Sequence, residues 1–297
     1  MSDNKRRDLL KLSALAAAGF IMPSASLKAT NWLSNLDGGN NAILKKFGLQ
    51  LYSLRDDLPK DPKAILKQVA NFGYKQIESY EGAQGMFWGM SNTEFKSLMG
   101  DLGMEIISSH CDIKKDFEAK VEKAAAIGMK YLICPYLGPQ KTIDVFKQTA
   151  ETFNKCGEIC KNHNIKFAYH NHDYSFKKID AEVPIDVMLK NTDADKVYFE
   201  LDIYWAVTAG VNPADYFKKY KNRFTLCHVK DRSKNANKAD ANSSCILGEG
   251  IIDYAPILKV AKANGMQYFI VEQERYDNST PLISASKDAD YMKRLSF

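Results

Sequence analysis

Several absences narrow what this chain does. Its six cysteines, Cys111, Cys134, Cys156, Cys160, Cys227 and Cys245, include no Cys-x-x-Cys pair, which removes zinc ribbons and dithiol redox motifs. Cys156 and Cys160 are four apart and read as small buried residues on one helix face. Net positive charge is small outside the first segment: residues 1–29 carry a net +3 of the chain's +5, leaving +2 for the rest. No arginine-rich face is visible, so no nucleic-acid partner is expected. The first apolar run continues as GLQLYSLRDDLP rather than into a glycine-rich loop, which removes the main support for nucleotide binding. Histidine is scarce too, at five residues: His110, His163, His170, His172 and His228.

What is present at the start reads as an address. KRRDLLKLSALAAAGFIMPSASLKA has a charged beginning, an apolar stretch from Leu12 to Met22, and small residues near Ala25 and Ala29. The apolar stretch is too short for a comfortable membrane span. Arg6-Arg7 followed by Leu9, Leu10 and Lys11 matches a twin-arginine export signal over 1–29, which implies a periplasmic location. No cysteine follows the apolar run, so no lipid anchor is expected, nor a membrane span once the signal is removed. Residues 30–45, rich in Asn, Gly and Ser, read as a linker to one domain over 46–297.

From Phe47 onward, short apolar runs alternate with helical segments. The runs are FGLQLYS (47–53), YKQIESY (74–80), MEIISSH (104–110), KYLICPY (130–136), IKFAYHNH (165–172), KVYFELD (196–202), RFTLCHVK (223–230) and QYFIVEQE (267–274). Between them lie amphipathic stretches such as DPKAILKQVANFG, with Asp61 placed to cap and Pro62 at the first helical position. NFGY, DLGM, AIGM and ANGM recur where helix returns to strand, each with a glycine suited to a left-handed helix end. Eight alternating units in about 250 residues predict a closed parallel (β/α)₈ TIM barrel.

A barrel of this kind presents chemistry at the C-terminal ends of its strands. The ends hold Gln50 and Tyr52; Glu78 and Tyr80; His110; Pro135 and Tyr136; His170 and His172; Glu200, Asp202 and Trp205; His228, Lys230 and Arg232; Glu272 and Glu274. Four of the five histidines fall there, and only His163 sits in a helix. Strands five to eight each offer a His, Asp or Glu. Imidazole with carboxylate suits one divalent Mn²⁺, Zn²⁺, Co²⁺ or Fe²⁺ better than Ca²⁺. Tyr52, Tyr80, Phe87, Trp88, Tyr136, Tyr174 and Trp205 follow strand ends and are candidates for sugar-stacking walls.

FGLQLYSLR, AYHNHDYSF, ELDIYWAVTAG, CHVKD and IVEQE resemble the xylose isomerase-like TIM-barrel superfamily, the sugar phosphate isomerases and epimerases, from Phe47 to the end of the chain. The resemblance implies one divalent metal held by residues of strands five to eight: His170, Asp202, His228 and Glu272. Many relatives read Glu-Asn-His where this chain reads His170-Asn171-His172, so an imidazole stands where a carboxylate is expected. His172 is then a nearby substrate group, although the two histidines could exchange roles. Glu272, Glu274, Lys230 and His110 are the candidate catalytic groups. Tyr52, Glu78, His172, Trp205 and Arg232 are the candidate substrate contacts.

The resemblance implies an isomerase or epimerase of an unphosphorylated keto sugar, working by proton abstraction beside a metal-bound carbonyl. The family mechanism uses two glutamates, and a metal-bound imidazole has no lone pair left for proton transfer. The alternative is a 3-keto-glycoside lyase or hydrolase, which removes a proton from one side and cleaves by β-elimination; an exported sugar oxidoreductase is its implied partner. A non-catalytic sugar-binding partner subunit would need an incomplete metal constellation. A DNA-repair endonuclease of the same barrel type would need several metals and a basic groove, and too few histidines remain for that. Oligomeric state stays open. SKNANKADANSS (233–244) reads as a mobile polar loop.

Overall fold

The computed structural model describes residues 43–237 and 240–297; the expected export signal and most of the linker lie outside them. The chain runs β1 (Gly48–Gln50), α1 (Pro62–Phe72), β2 (Gln76–Tyr80), α2 (Asn92–Asp101), β3 (Glu105–His110), α3 (Phe117–Ala126), β4 (Tyr131–Cys134), α4 (Ile143–Asn162) and β5 (Lys166–His170). It continues α5 (Pro184–Asn191), β6 (Val197–Asp202), α6 (Ile203–Thr208), α7 (Pro213–Lys219), β7 (Phe224–Val229), β8 (Asp231–Arg232), β9 (Ser244–Cys245), α8 (Tyr254–Ala263), β10 (Tyr268–Val271) and α9 (Pro281–Arg294). β1 to β7 and β10 form a closed parallel barrel, with β10 paired to both β1 and β7.

The local signals act as expected. The Asp61 carboxylate accepts the Ala64 N–H at 3.0 Å, with Pro62 at the first position of α1. The four recurring glycines, Gly73, Gly103, Gly128 and Gly265, have φ of 103°, 66°, 81° and 106°, which a side chain disfavours. Apolar faces of the helices pack on the barrel's outer surface. Ile107, Tyr131, Ile133, Ala168 and Leu226 form a separate plug, flanked by Tyr198 and Tyr268 at strand beginnings. This leaves the C-terminal half of the barrel interior to polar residues.

At the first described residues, Ile43 bridges to Ser296, and the Leu44 N–H donates to the Leu295 carbonyl at 3.4 Å. One detail differs from the sequence reading. The stretch after the seventh strand is not featureless: β8 and β9 close a short hairpin around it. No helix among the described residues is long and apolar enough to cross a membrane.

Candidate active site

β5, β6, β7 and β10 carry His170, Asp202 and His228 on their last residues or nearly so, with Glu272 one residue past β10. Parallel pairing sets Asp202 beside His228 and His170 beside Glu200. His170, Asp202, His228 and Glu272 are all buried, and one donor atom of each lies within 4.8 Å of the others. His170 Nε2 is 3.2 Å from His228 Nδ1, and Asp202 Oδ2 lies 3.4 Å and 3.5 Å from those two nitrogens. Glu272 Oε2 is 3.3 Å from His228 Nδ1.

This set fits a divalent metal on its own geometry. Asp202 Oδ1 caps α6 by accepting the Trp205 N–H at 2.9 Å, whereas Oδ2 is fully buried with no hydrogen bond among the described residues. A buried carboxylate oxygen left open between two imidazole nitrogens is a ligand position. His170 Nδ1 lies 3.1 Å from the Pro135 carbonyl. A carbonyl only accepts, so Nδ1 carries the proton and Nε2 presents its lone pair to the cluster.

Lys230 lies beneath this set, fully buried, with Nζ over the faces of Tyr204 and Trp205 at 5.0 Å and 4.9 Å. It donates to Glu272 at 3.2 Å and also to Glu274. Burial lowers the Lys230 pKa, but Glu272 and Glu274 outweigh it and hold the amine charged. Burial likewise pushes Glu272 up, while Lys230 and His228 hold its carboxyl well below the usual range. Burial and His170 push His172 down to about 2, so it is neutral.

A second buried group joins β2, β3, β6 and β7. Glu78, His110, Glu200 and His228 bring their donor atoms equally close. Burial works against a charged His110, yet Glu78 and Glu200 raise it to about 9. The two carboxylates are driven apart: Glu78 is held low by both imidazoles despite burial, while burial and the Glu78 charge push Glu200 up.

A cavity of about 820 Å³ opens over these groups, lined among others by Tyr52, Tyr80, His110, Tyr136, His170, His172, Glu272 and Glu274. Of the expected aromatic walls, Tyr52, Tyr80 and Tyr136 line it, while Phe87, Trp88, Tyr174 and Trp205 are packed among other side chains. Of the expected substrate contacts, Tyr52 and His172 face the cavity and three do not. Glu78 is fully buried and engaged by Gln50, Ser108 and His228 at 2.6, 2.5 and 2.8 Å. Trp205 is 6% exposed, behind His172 with ring centres 5.1 Å apart. Arg232 donates to Tyr204 and to the Ala241, Asn237 and Asp240 carbonyls, so its guanidinium shapes the loop after β8. Glu200 is legible in the sequence as a strand-end residue without a role; its full burial, the sign of its importance, is not legible from alternation alone.

The fold and the site define a barrel enzyme scaffold with a buried imidazole–carboxylate centre, and comparison with known proteins places it. Residues 66–295 match the family model described as xylose isomerase-like TIM barrel, and the chain belongs to that family. It is similar to an inosose dehydratase of Clostridium perfringens (strain 13 / Type A), 32% identical over 162 residues, or 50% of this chain and 54% of that one. It thus spans about half the length of the curated relatives it matches. Among solved structures, a sugar phosphate isomerase/epimerase from Parabacteroides distasonis superposes with a TM-score of 0.73 at 30% identity, covering 86% of this chain and 97% of that one. The IOLI protein with a bound zinc atom shares the fold, with a TM-score of 0.70 at 15% identity over 85% and 99% of the two chains.

Proposed function

We propose that this chain is a metal-dependent lyase that eliminates the oxygen substituent β to the ketone of a cyclic, unphosphorylated keto sugar or keto polyol. The carrying observation is the 3.1 Å contact between His170 Nδ1 and the Pro135 carbonyl, an acceptor that calls for the ring proton on Nδ1. With Nε2 turned to the metal position, His170 offers no base on its side of the cavity. Of the four carboxylates among the described residues that line the cavity, Glu272 and Glu274 lie together on the β10 side beside the centre, while Glu81 and Asp112 follow β2 and β3, where Glu81 accepts from Lys120 and the Asp112 N–H. Proton removal is therefore one-sided, which suits elimination and not a symmetrical two-base epimerisation. The similarity to an inosose dehydratase supports the same chemistry.

His170, Asp202, His228 and Glu272 would hold the metal, one of Mn²⁺, Zn²⁺, Co²⁺ or Fe²⁺. When bound, the metal polarises the substrate ketone and acidifies the neighbouring C–H. Glu274, at the cavity wall, takes that proton; Lys230 holds its carboxylate in place. The C–O bond on the next carbon then breaks. The departing oxygen takes a proton from His110, which lines the cavity and whose Nε2 is already engaged by Glu78 and Glu200, leaving Nδ1 to donate. Tyr52, Tyr80 and Tyr136 supply flat walls for the sugar ring. The cavity is larger than one sugar ring fills, so the departing group extends from hydroxide to a glycosidic oxygen. We extend the proposal to an exported enzyme, supplied with ketone by a sugar oxidoreductase; the twin-arginine-type pattern of residues 1–29 supports it.

Proton NMR in D₂O tests the reading. Metal-loaded protein is given a keto-inositol and, separately, a 3-keto-glucoside. The expected result is an unsaturated ketone with loss of water or of the aglycone, slowed at least roughly 100-fold in Glu274→Gln. Deuterium beside the carbonyl with an inverted centre and no eliminated product would make the enzyme an epimerase instead.

A further inference from the structure

We propose that Glu78, His110, Glu200 and His228 form a second divalent-cation site, joined to the first through the His228 ring. His228 faces two donor sets with its two nitrogens. Nδ1 looks toward His170, Asp202 and Glu272. Nε2 is 2.8 Å from Glu78 Oε1 and 3.3 Å from Glu200 Oε2. His110 Nε2 closes the other side of that second set, 3.1 Å from Glu78 Oε1 and 2.9 Å from Glu200 Oε2. Two imidazole nitrogens and two carboxylate oxygens thus alternate around one point. Donors bound about 2.0–2.2 Å from a tetrahedral ion sit roughly 3.3–3.5 Å apart, so an expansion of a few tenths of an ångström accommodates the cation.

Three further observations point the same way. All four residues are buried, and Glu200 Oε1 has no hydrogen-bond partner among the described residues. Both carboxylates sit where the barrel register slips, between Ile77 and Glu78 and between Phe199 and Glu200. The extra residue lies on the partner strand each time, Ile107 on β3 and Thr225 on β7, so the bulged strands are the two that carry His110 and His228, and such bulges re-aim the side chains of the strand that holds them. Glu78 is also fixed from outside the set by Gln50 Nε2 and Ser108 Oγ, the supporting shell a ligating carboxylate needs. Without the cation, ring protons on the two Nε2 atoms stand between the carboxylates. The cation replaces both, and His228 becomes a bridge between two ions. Imidazole with carboxylate selects Zn²⁺, Co²⁺ or Mn²⁺.

The test counts metal. The full chain is stripped with chelator, reloaded with Zn²⁺, desalted and measured by plasma mass spectrometry, with melting curves as the folding control. Wild type is expected to hold two Zn²⁺ per chain, Glu200→Gln and His110→Gln one each, and Asp202→Asn one. The Glu200→Gln/Asp202→Asn double variant is expected to hold none. A wild type that saturates at one, with that one lost in Asp202→Asn, overturns the second site and leaves the proposed function intact. Two per chain in wild type and still two in both Glu200→Gln and His110→Gln places the extra ion elsewhere and also overturns it. A wild type that binds none overturns both proposals.

Discussion

Lys230 sets the charge balance of the centre. Its ammonium is buried between Glu272 and Glu274, on a floor made by Tyr204 and Trp205. Removing one partner of a buried ion pair leaves an uncompensated charge, at about 3–5 kcal/mol. A metal held beside Glu272, as proposed, would supply the missing positive charge. Lys230→Met is therefore expected to lower the melting temperature of the metal-free chain by roughly 10 °C, at about 2–4 °C per kcal/mol for a chain of this size. The metal-loaded chain should lose clearly less. Equal losses with and without Zn²⁺ would show that no metal shares the Glu272 charge. At this scale the sequence is informative about position and poor about burial. His170, Asp202, His228 and Glu272 are legible because strand ends are legible. That Glu78 and Lys230 are fully enclosed is not, because enclosure depends on which strands face each other across the barrel. Arg232 misleads for the same reason: a cation after a strand end faces a substrate only if no loop carbonyls claim it first.

The β8–β9 hairpin positions the edge that carries Glu274. Ser244 on β9 accepts the Glu274 and Arg275 N–H groups at 3.0 Å each, which fixes the backbone carrying the proposed base. The hairpin is in turn held by Asp231 on β8. Asp231 Oδ1 accepts the Arg232 and Ile252 N–H groups at 2.8 and 3.1 Å, and Oδ2 those of Gly248 and Gly250 at 3.0 Å each. Gly250 has to be glycine here, since a Cβ would run into Asp231 Oδ1 and the Arg232 carbonyl. An amide nitrogen cannot accept, so Asp231→Asn loses one pair of these bonds and Asp231→Ala all four. The expected destabilisation is about 2–3 kcal/mol for Asp231→Asn and more for Asp231→Ala, with faster hydrogen exchange at Gly248 and Gly250. Unchanged exchange at both glycines in Asp231→Ala would refute the clasp. The long strands and the capped helices are legible, because their periodicity extends over several residues. A two-residue strand has no period, so 233–244 reads as loop, and its anchoring by Asp231 and Arg232 becomes visible only with the barrel closed.

At the level of the whole molecule, closure brings the chain's last helix against this same loop. Asp288 on α9 is buried and accepts the Leu247 N–H at 2.8 Å, near Asp231 and Glu249. Burial is the largest influence on its carboxyl and pushes it up to about 8; the Leu247 bond opposes this, and the two neighbouring carboxylates add to it. An unfolded aspartate titrates near 3.9. Between about pH 4 and 8 the folded chain thus binds one proton more than the unfolded chain at this position. Stability from Asp288 is fully present below about pH 4, falls as pH rises through that window, and stops falling above about pH 8. Asp288→Asn keeps an oxygen for Leu247 and removes the titration. The melting temperature of Asp288→Asn relative to wild type should therefore climb from pH 5 to pH 8 and then level off. Other groups titrate in both chains, so the difference between the two curves isolates this carboxyl. A difference that stays flat from pH 5 to pH 9 would mean that Asp288 is already ionised in the folded barrel, with water or a cation reaching it between α9 and the loop.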